Sequence, residues 1–227
     1  MSQIDQTINL YLVRHGESKQ NVGINFEERI PDHAVELTEK GLTQADAAGQ
    51  FLADLLKDEP KENIVMWRSP YQRTRQTSNG ILRHVSVNKI KEDDMLVELQ
   101  FGVFDNIPPE RREEVLPEFY AYYKNARRFN GKFYARMPCG ESPFDCEIRQ
   151  KLWLESLYRD INKGNHPEHV IVVGHGAQLR LLRKAIFHYP HEWYADTKNP
   201  GNCSIVQVVL SPQKNMSRGY IYGTCEN

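Results

Sequence analysis

The chain has 227 residues, 40% hydrophobic and 26% charged, a composition that supports one globular domain over 1–227 with a full core. Its 29 Lys and Arg stand against 30 Asp and Glu, a formal net charge of −1, so nothing in the bulk charge draws it to nucleic acid or to a membrane, and neither is expected as a partner. Mean hydropathy is −0.63, no apolar run nears the roughly 20 residues of a membrane helix, and the start Met1-Ser2-Gln3-Ile4-Asp5-Gln6 lacks a leader's basic and apolar regions, so a cytoplasmic location is expected.

Thr7 to Val13 is rich in β-formers and predicts a buried strand. Thr38 reads as a helix N-cap before an amphipathic helix carrying Ala45, Ala48, Phe51, Leu52 and Leu55, with Gly41 tolerated early. Ile64 to Trp67 predicts a short strand. Ser69 and Pro70 suit a cap and first helical position for a helix over Tyr71 to Arg83, and an extended stretch is expected from Val85 to Ile90. The span from about Asp93 to Gly140, with Pro108, Pro109, Pro117 and Pro138, is irregular, with one helix between Glu110 and Asn125. A helix from Ser142 to Ile161, a buried strand at Val170 to Val173, a helix from Gln178 to Phe187 and two closing β segments complete the pattern. Strands alternating with helices predict an α/β fold, a three-layer αβα sandwich on a mainly parallel sheet. The insertion would act as a lid over the sheet's carboxyl edge. The cysteines Cys139, Cys146, Cys203 and Cys225 show no metal-binding or redox spacing and read as reduced thiols.

Two strands end in a His-Gly pair: Arg14-His15-Gly16 and Gly174-His175-Gly176. Each alone fits a strand-end turn; together they place two imidazoles where open α/β sheets bind ligands. Arg68, Arg73 and Arg75 crowd the start of one helix, an end that already favours anions, so a bound phosphate would offset their charge. Arg75 can equally be solvated. Glu98, after Met95-Leu96, is a candidate acid near such a site.

The stretches Arg14-His15-Gly16-Glu17, Leu37-Thr38-Glu39-Lys40-Gly41-Leu42-Thr43-Gln44-Ala45, Ser69 to Thr77, Glu98-x-x-Phe101-Gly102 and His175-Gly176 fall in the order seen in the histidine phosphatase superfamily, which this chain resembles over nearly its whole length. That group includes the cofactor-dependent phosphoglycerate mutases. Ile30-Pro31-Asp32-His33, Gly140-Glu141-Ser142 and Asn199-Pro200-Gly201-Asn202-Cys203 look like its fungal broad-range acid phosphatases. The resemblance implies His15 as the phosphorylated nucleophile, Arg14, Arg73 and His175 around the transferring phosphoryl group, and Glu98 as proton donor. It also implies Asn21, Gly176, Glu141 and Ser142 at the substrate. His175 would help most as a cationic donor. No metal and no cofactor are needed, since arginines can offset the phosphoryl charge.

Arg68 departs from the family's usual small residue and is expected to point outward. Asp32-His33 reads as a turn. Mutases carry a lid Arg pair; Arg127-Arg128 lies at a suggestive distance from Glu98, but the continuation Asn130-Gly131-Lys132-Phe133-Tyr134 fits the phosphatase branch. The expected function is a metal-independent phosphatase acting on a small phosphorylated metabolite. The alternatives are a 2,3-bisphosphoglycerate-dependent mutase and a protein that binds a phosphorylated ligand without turning it over.

Overall fold

The structure, a computed structural model, describes residues 6–24, 26, 30–163 and 167–226. The leader reading at 1–5 therefore lies outside the described residues. Six strands form one mixed sheet: β1 (Ile8–Arg14), β2 (Ile64–Arg68), β3 (Lys89–Glu92), β4 (His169–Gly174), β5 (Ile205–Leu210) and β6 (Met216–Tyr222), in the order β3-β2-β4-β1-β5-β6. The first four positions are parallel, and β5 and β6 close the sheet antiparallel. The seven described α-helices are α1 (Glu39–Leu55), α2 (Gln72–Leu82), α3 (Arg112–Val115), α4 (Pro117–Tyr134), α5 (Pro143–Asn162), α6 (Gly176–Phe187) and α7 (His191–Asp196).

Side chains alternate across a strand, and that period splits the core in two. From β1 and β4, Ile8, Leu10, Leu12, Val170 and Val172 join Trp153 and Leu157 of α5 and Leu179 and Leu182 of α6 on one face. Tyr11, Val13, Ile171 and Val173 meet Ala45, Ala48 and Leu52 of α1 and Ile81 of α2 on the other. Both faces are covered, so Leu10 to Val13 of β1 and Val170 to Val173 of β4 are continuous buried apolar runs. A separate cluster of Phe104, Tyr123, Ala135 and Met137 holds the insertion together.

Several boundaries differ from the sequence reading. The strand after α2 begins at Lys89 rather than Val85. In the insertion the short α3 precedes a helix that starts at Pro117 and continues past Asn125 to Tyr134, with a break at Gly131, whose φ of 75° lies in the left-handed region. Pro117 at its first turn sets φ for helix entry, which moves the start downstream of Glu110. Thr38 caps α1 as expected, its Oγ1 accepting from Gly41 N at 3.1 Å. Ser69 does not cap α2; Tyr71 precedes its first residue, and the Ser69 hydroxyl is used elsewhere.

Candidate active site

Parallel pairing brings three strand ends to one edge. Arg14 pairs with Gly174 across β1 and β4, and Arg68 pairs with Val173 across β2 and β4. The loops that follow deliver His15, Ser69 and His175 side by side. The two imidazoles lie edge to face with centroids 5.3 Å apart, His15 buried and His175 fully so.

His15 Nδ1 lies 2.7 Å from the Gly16 carbonyl, which can only accept, so Nδ1 carries the hydrogen and Nε2 keeps its lone pair. Burial, then the charges of Arg73 and Arg14, hold the His15 pKa well below the usual imidazole range. The result is a neutral nucleophile between cations. The turn is packed tightly: a Cβ on Gly16 would meet the Gly41 carbonyl oxygen at 2.4 Å, and one on Gly41 would meet Glu17 O at 2.0 Å. Gly41 is thus needed for close approach of α1 and not merely tolerated. Glu17 supports the same junction, accepting from Thr38 Oγ1 at 2.9 Å and Lys40 Nζ at 2.7 Å.

His175 accepts at Nδ1 from Arg73 Nε (3.3 Å), so its hydrogen sits on Nε2 and donates to Ser69 Oγ at 2.9 Å. Burial and then Arg73 and His15 keep its pKa well below the usual value. The expected cation is therefore corrected: at rest His175 is a neutral donor, because a guanidinium N–H occupies its second nitrogen.

Arg73 is 1% exposed and fully engaged. Besides His175 it donates through Nη1 to Asp32 O (2.6 Å) and through Nη2 to Asp32 Oδ2 (3.3 Å), with Asp32 Oδ1 3.2 Å from Nη1. Asp32 is thus more than a turn residue. Arg14 donates through Nη1 to Pro200 O at 2.6 Å and pairs with Glu226, while its buried Nε has no acceptor among the described residues. An unsatisfied buried guanidinium N–H is costly, and an anion is the ligand that would satisfy it. Glu98 sits at the amino end of α6, where Oε1 accepts from Gln178 N (2.9 Å) and Leu99 N (2.8 Å) and Oε2 from Ala177 N (3.2 Å).

These groups border a cavity of about 550 Å³ whose wall includes Arg14, His15, Asn21, Arg73 and Glu98. Asn21 is fixed by its Oδ1, which accepts from Ser18 N at 3.0 Å and Asn202 Nδ2 at 3.1 Å. His175, Gly176, Glu141 and Ser142 are not among the residues that line the cavity. Glu141 is tied to Arg149 (Oε1–Nε 2.7 Å), Ser142 caps α5 through Asp145, and Gly176 makes room for Asn199, whose Cγ would lie 3.0 Å from a Cβ. The wall also includes Asn199, which the sequence marks only as part of the 199–203 stretch, and Arg112, which it does not mark and whose guanidinium lies over Phe101 and Phe104 at 5.0 and 5.3 Å. Arg68 and Arg75 both pair with Glu92 at 2.7 Å, facing away from the site as the sequence suggested. Arg127 and Arg128 line a separate surface depression. Glu59, Glu168 and His169, whose possible ligand atoms lie within 4.8 Å of one another, are at the opposite end of the strands from this site.

A mixed αβα sheet thus gathers two strand-end histidines and two arginines at one edge, with His15, Arg14 and Arg73 bordering the cleft. The profile of the histidine phosphatase superfamily (branch 1) matches residues 10–220, and the chain belongs to that family. It is 34% identical over 208 residues to the phosphoglycerate mutase-like protein AT74 of Arabidopsis thaliana, covering 86% of this chain and 63% of that protein, so it spans less than two thirds of that relative's length. It is 24% identical over 288 residues to the broad-range acid phosphatase DET1 of Saccharomyces cerevisiae, covering 91% of this chain and 86% of that one. The crystal structure of a putative alpha-ribazole-5'-P phosphatase from Escherichia coli superposes with a TM-score of 0.75 at 18% identity, over 98% of this chain and all of that one, a likeness of fold.

Proposed function

We propose that the chain is a metal-independent phosphatase that hydrolyses a small phosphomonoester through a phosphohistidine on His15. The observation that carries this reading is the His15 hydrogen bond to Gly16 O at 2.7 Å, which leaves Nε2 unprotonated inside a cavity bordered by Arg14, Arg73 and Glu98. In the first step Nε2 attacks phosphorus, the ester P–O bond breaks, and a protonated Glu98 gives its proton to the leaving alkoxide. The arginines offset charge on the equatorial oxygens, with no step that requires a metal. In the second step the Glu98 carboxylate takes a proton from water, whose oxygen displaces His15 and releases inorganic phosphate. Asn21 would orient the phosphoryl group. A cytoplasmic location and a small phosphorylated metabolite as partner suit this reading.

A panel of phosphate esters with wild type and His15→Ala tests it: turnover with an acid-labile phosphoenzyme is expected in the wild type and neither in the variant. No turnover of any ester would sink the hydrolase reading, and full biological effect in His15→Ala would favour a phospho-ligand-binding protein. A mutase would instead isomerise 3-phosphoglycerate and hold a lasting phosphohistidine from 2,3-bisphosphoglycerate. The position of Arg127 and Arg128 outside the cavity supports hydrolysis over that alternative.

A further inference from the structure

Near the carboxyl end of the chain, residues 224–226 run back along the strap of residues 199–201. Gly201 N donates to Thr224 O at 2.7 Å, Glu226 N donates to Asn199 O at 2.9 Å, and Pro200 and Cys225 form an antiparallel bridge. Main-chain pairing therefore sets the position of Glu226, and its carboxylate meets Arg14 Nη1. The strap is part of the site: Asn199 borders the cavity, and Asn202 Nδ2 donates to His15 O at 3.1 Å.

We infer that Glu226 is a positioning residue for Arg14, holding one edge of the guanidinium so that the other faces the transferring phosphoryl group. Three observations carry this. Glu226 and Pro200 O both take the same nitrogen, Nη1. Nε is left buried without an acceptor, and Nη2 has no hydrogen-bond partner among the described residues. Glu226 itself is outside the cavity wall, its side chain 44% exposed, so it grips the arginine from behind and does not fill the anion's place. A guanidinium is a planar fork, so fixing one nitrogen by two acceptors fixes the direction of the rest. Without the carboxylate, the charge of the nearby Arg73 would favour rotation of Arg14 away from the pocket.

This inference rests on the phosphoryl-pocket reading above, and its test has an arm independent of turnover. Inorganic phosphate binding is measured by calorimetry, and kcat and KM are measured with p-nitrophenyl phosphate, for wild type, Glu226→Gln, Glu226→Asp, Arg14→Lys and the Glu226→Gln/Arg14→Lys pair. Glu226→Gln is expected to lower kcat by about 10- to 100-fold, the scale of a misplaced catalytic group. It should also weaken phosphate binding, leave Tm unchanged, and be largely rescued in Glu226→Asp. In the Arg14→Lys background the same change should cost less than about threefold, the mark of two residues acting through one contact. Full additivity would overturn the inference. So would tighter phosphate binding in Glu226→Gln, because the carboxylate would then be a competitor of the anion. Wild-type protein that turns over no ester but binds phosphate defeats the hydrolase reading alone; if it binds no phosphate, Arg14 has no anion face and this inference falls.

Discussion

Arg73 places both terminal nitrogens on Asp32 and its Nε on His175, while the buried Asp32 Oδ1, 3.2 Å from Nη1, makes no hydrogen bond among the described residues. Asp32 also borders the cavity, so an entering phosphoryl oxygen meets a carboxylate already on Arg73. This differs from Arg14, where the tail carboxylate leaves part of the fork open. Asp32→Asn keeps a carbonyl oxygen and removes the charge. The expected result is inorganic phosphate binding tighter by about tenfold, the scale of one charge-assisted hydrogen bond, read by calorimetry. Weaker binding would show that Asp32 supports Arg73 and does not compete for it.

Acid should destabilise the ligand-free protein through its two buried imidazoles. His15 and His175 are held neutral when folded, and unfolded histidines take protons near pH of about 6.5. The unfolded state then binds more protons, so the stability these groups contribute is present above about pH 6.5 and is lost below it, by at most about 1.4 kcal/mol per pH unit for each. Denaturant titrations should show a steeper acid limb in wild type than in His15→Gln. Equal slopes would rule out His15 as a neutral buried group.

Asp105 has the opposite sign. Burial, reinforced by the charge of Asp32, pushes its carboxyl up to about 6 despite the hydrogen bond from Phe101 N at 3.0 Å. Its proton is retained more readily in the folded chain, so its stabilising effect is complete below the usual carboxylate range and is lost as pH rises through about 6. Asp105→Asn should raise stability above neutral pH by about 1 kcal/mol, after allowance for the group's partial exposure. The gain should shrink as pH falls below 6. A pH-independent gain would contradict the assignment.

Alanine favours helix over glycine by about 1 kcal/mol, yet Gly41→Ala should destabilise the protein by about 1–3 kcal/mol because the added carbon strikes main chain. The Glu17 carbonyl oxygen would lie 2.0 Å from that Cβ, and moving it disturbs the turn that carries His15. A lower Tm together with a lower kcat is expected; an unchanged Tm would mean that α1 can slide without cost.

The elements that position chemistry were legible because they are local. Apolar strands, Thr38 before α1 and the two His-Gly ends are written in consecutive residues, and parallel pairing brings them together. What escaped the sequence depends on contacts between distant segments. Ser69 has the chemistry of a helix cap, but the His175 imidazole, 106 positions away, takes its hydroxyl. Glu141 and Ser142 look like substrate residues in a linear motif, yet Arg149, about two turns into the helix that Ser142 caps, draws Glu141 into a buttress that also accepts Gln100 N at 3.1 Å. Arg112 carries no local signal, since its significance comes from the rings of Phe101 and Phe104 beneath it.

The separate cluster of Phe104, Tyr123, Ala135 and Met137 gives the insertion its own small core, beside the two that sandwich the sheet. Such a satellite can behave as a cooperative unit that opens at lower free energy than the whole domain. Its amides would exchange with solvent earlier than those of β1 and β4. Access to the cleft can then fluctuate while the paired strands that hold His15 and His175 stay closed.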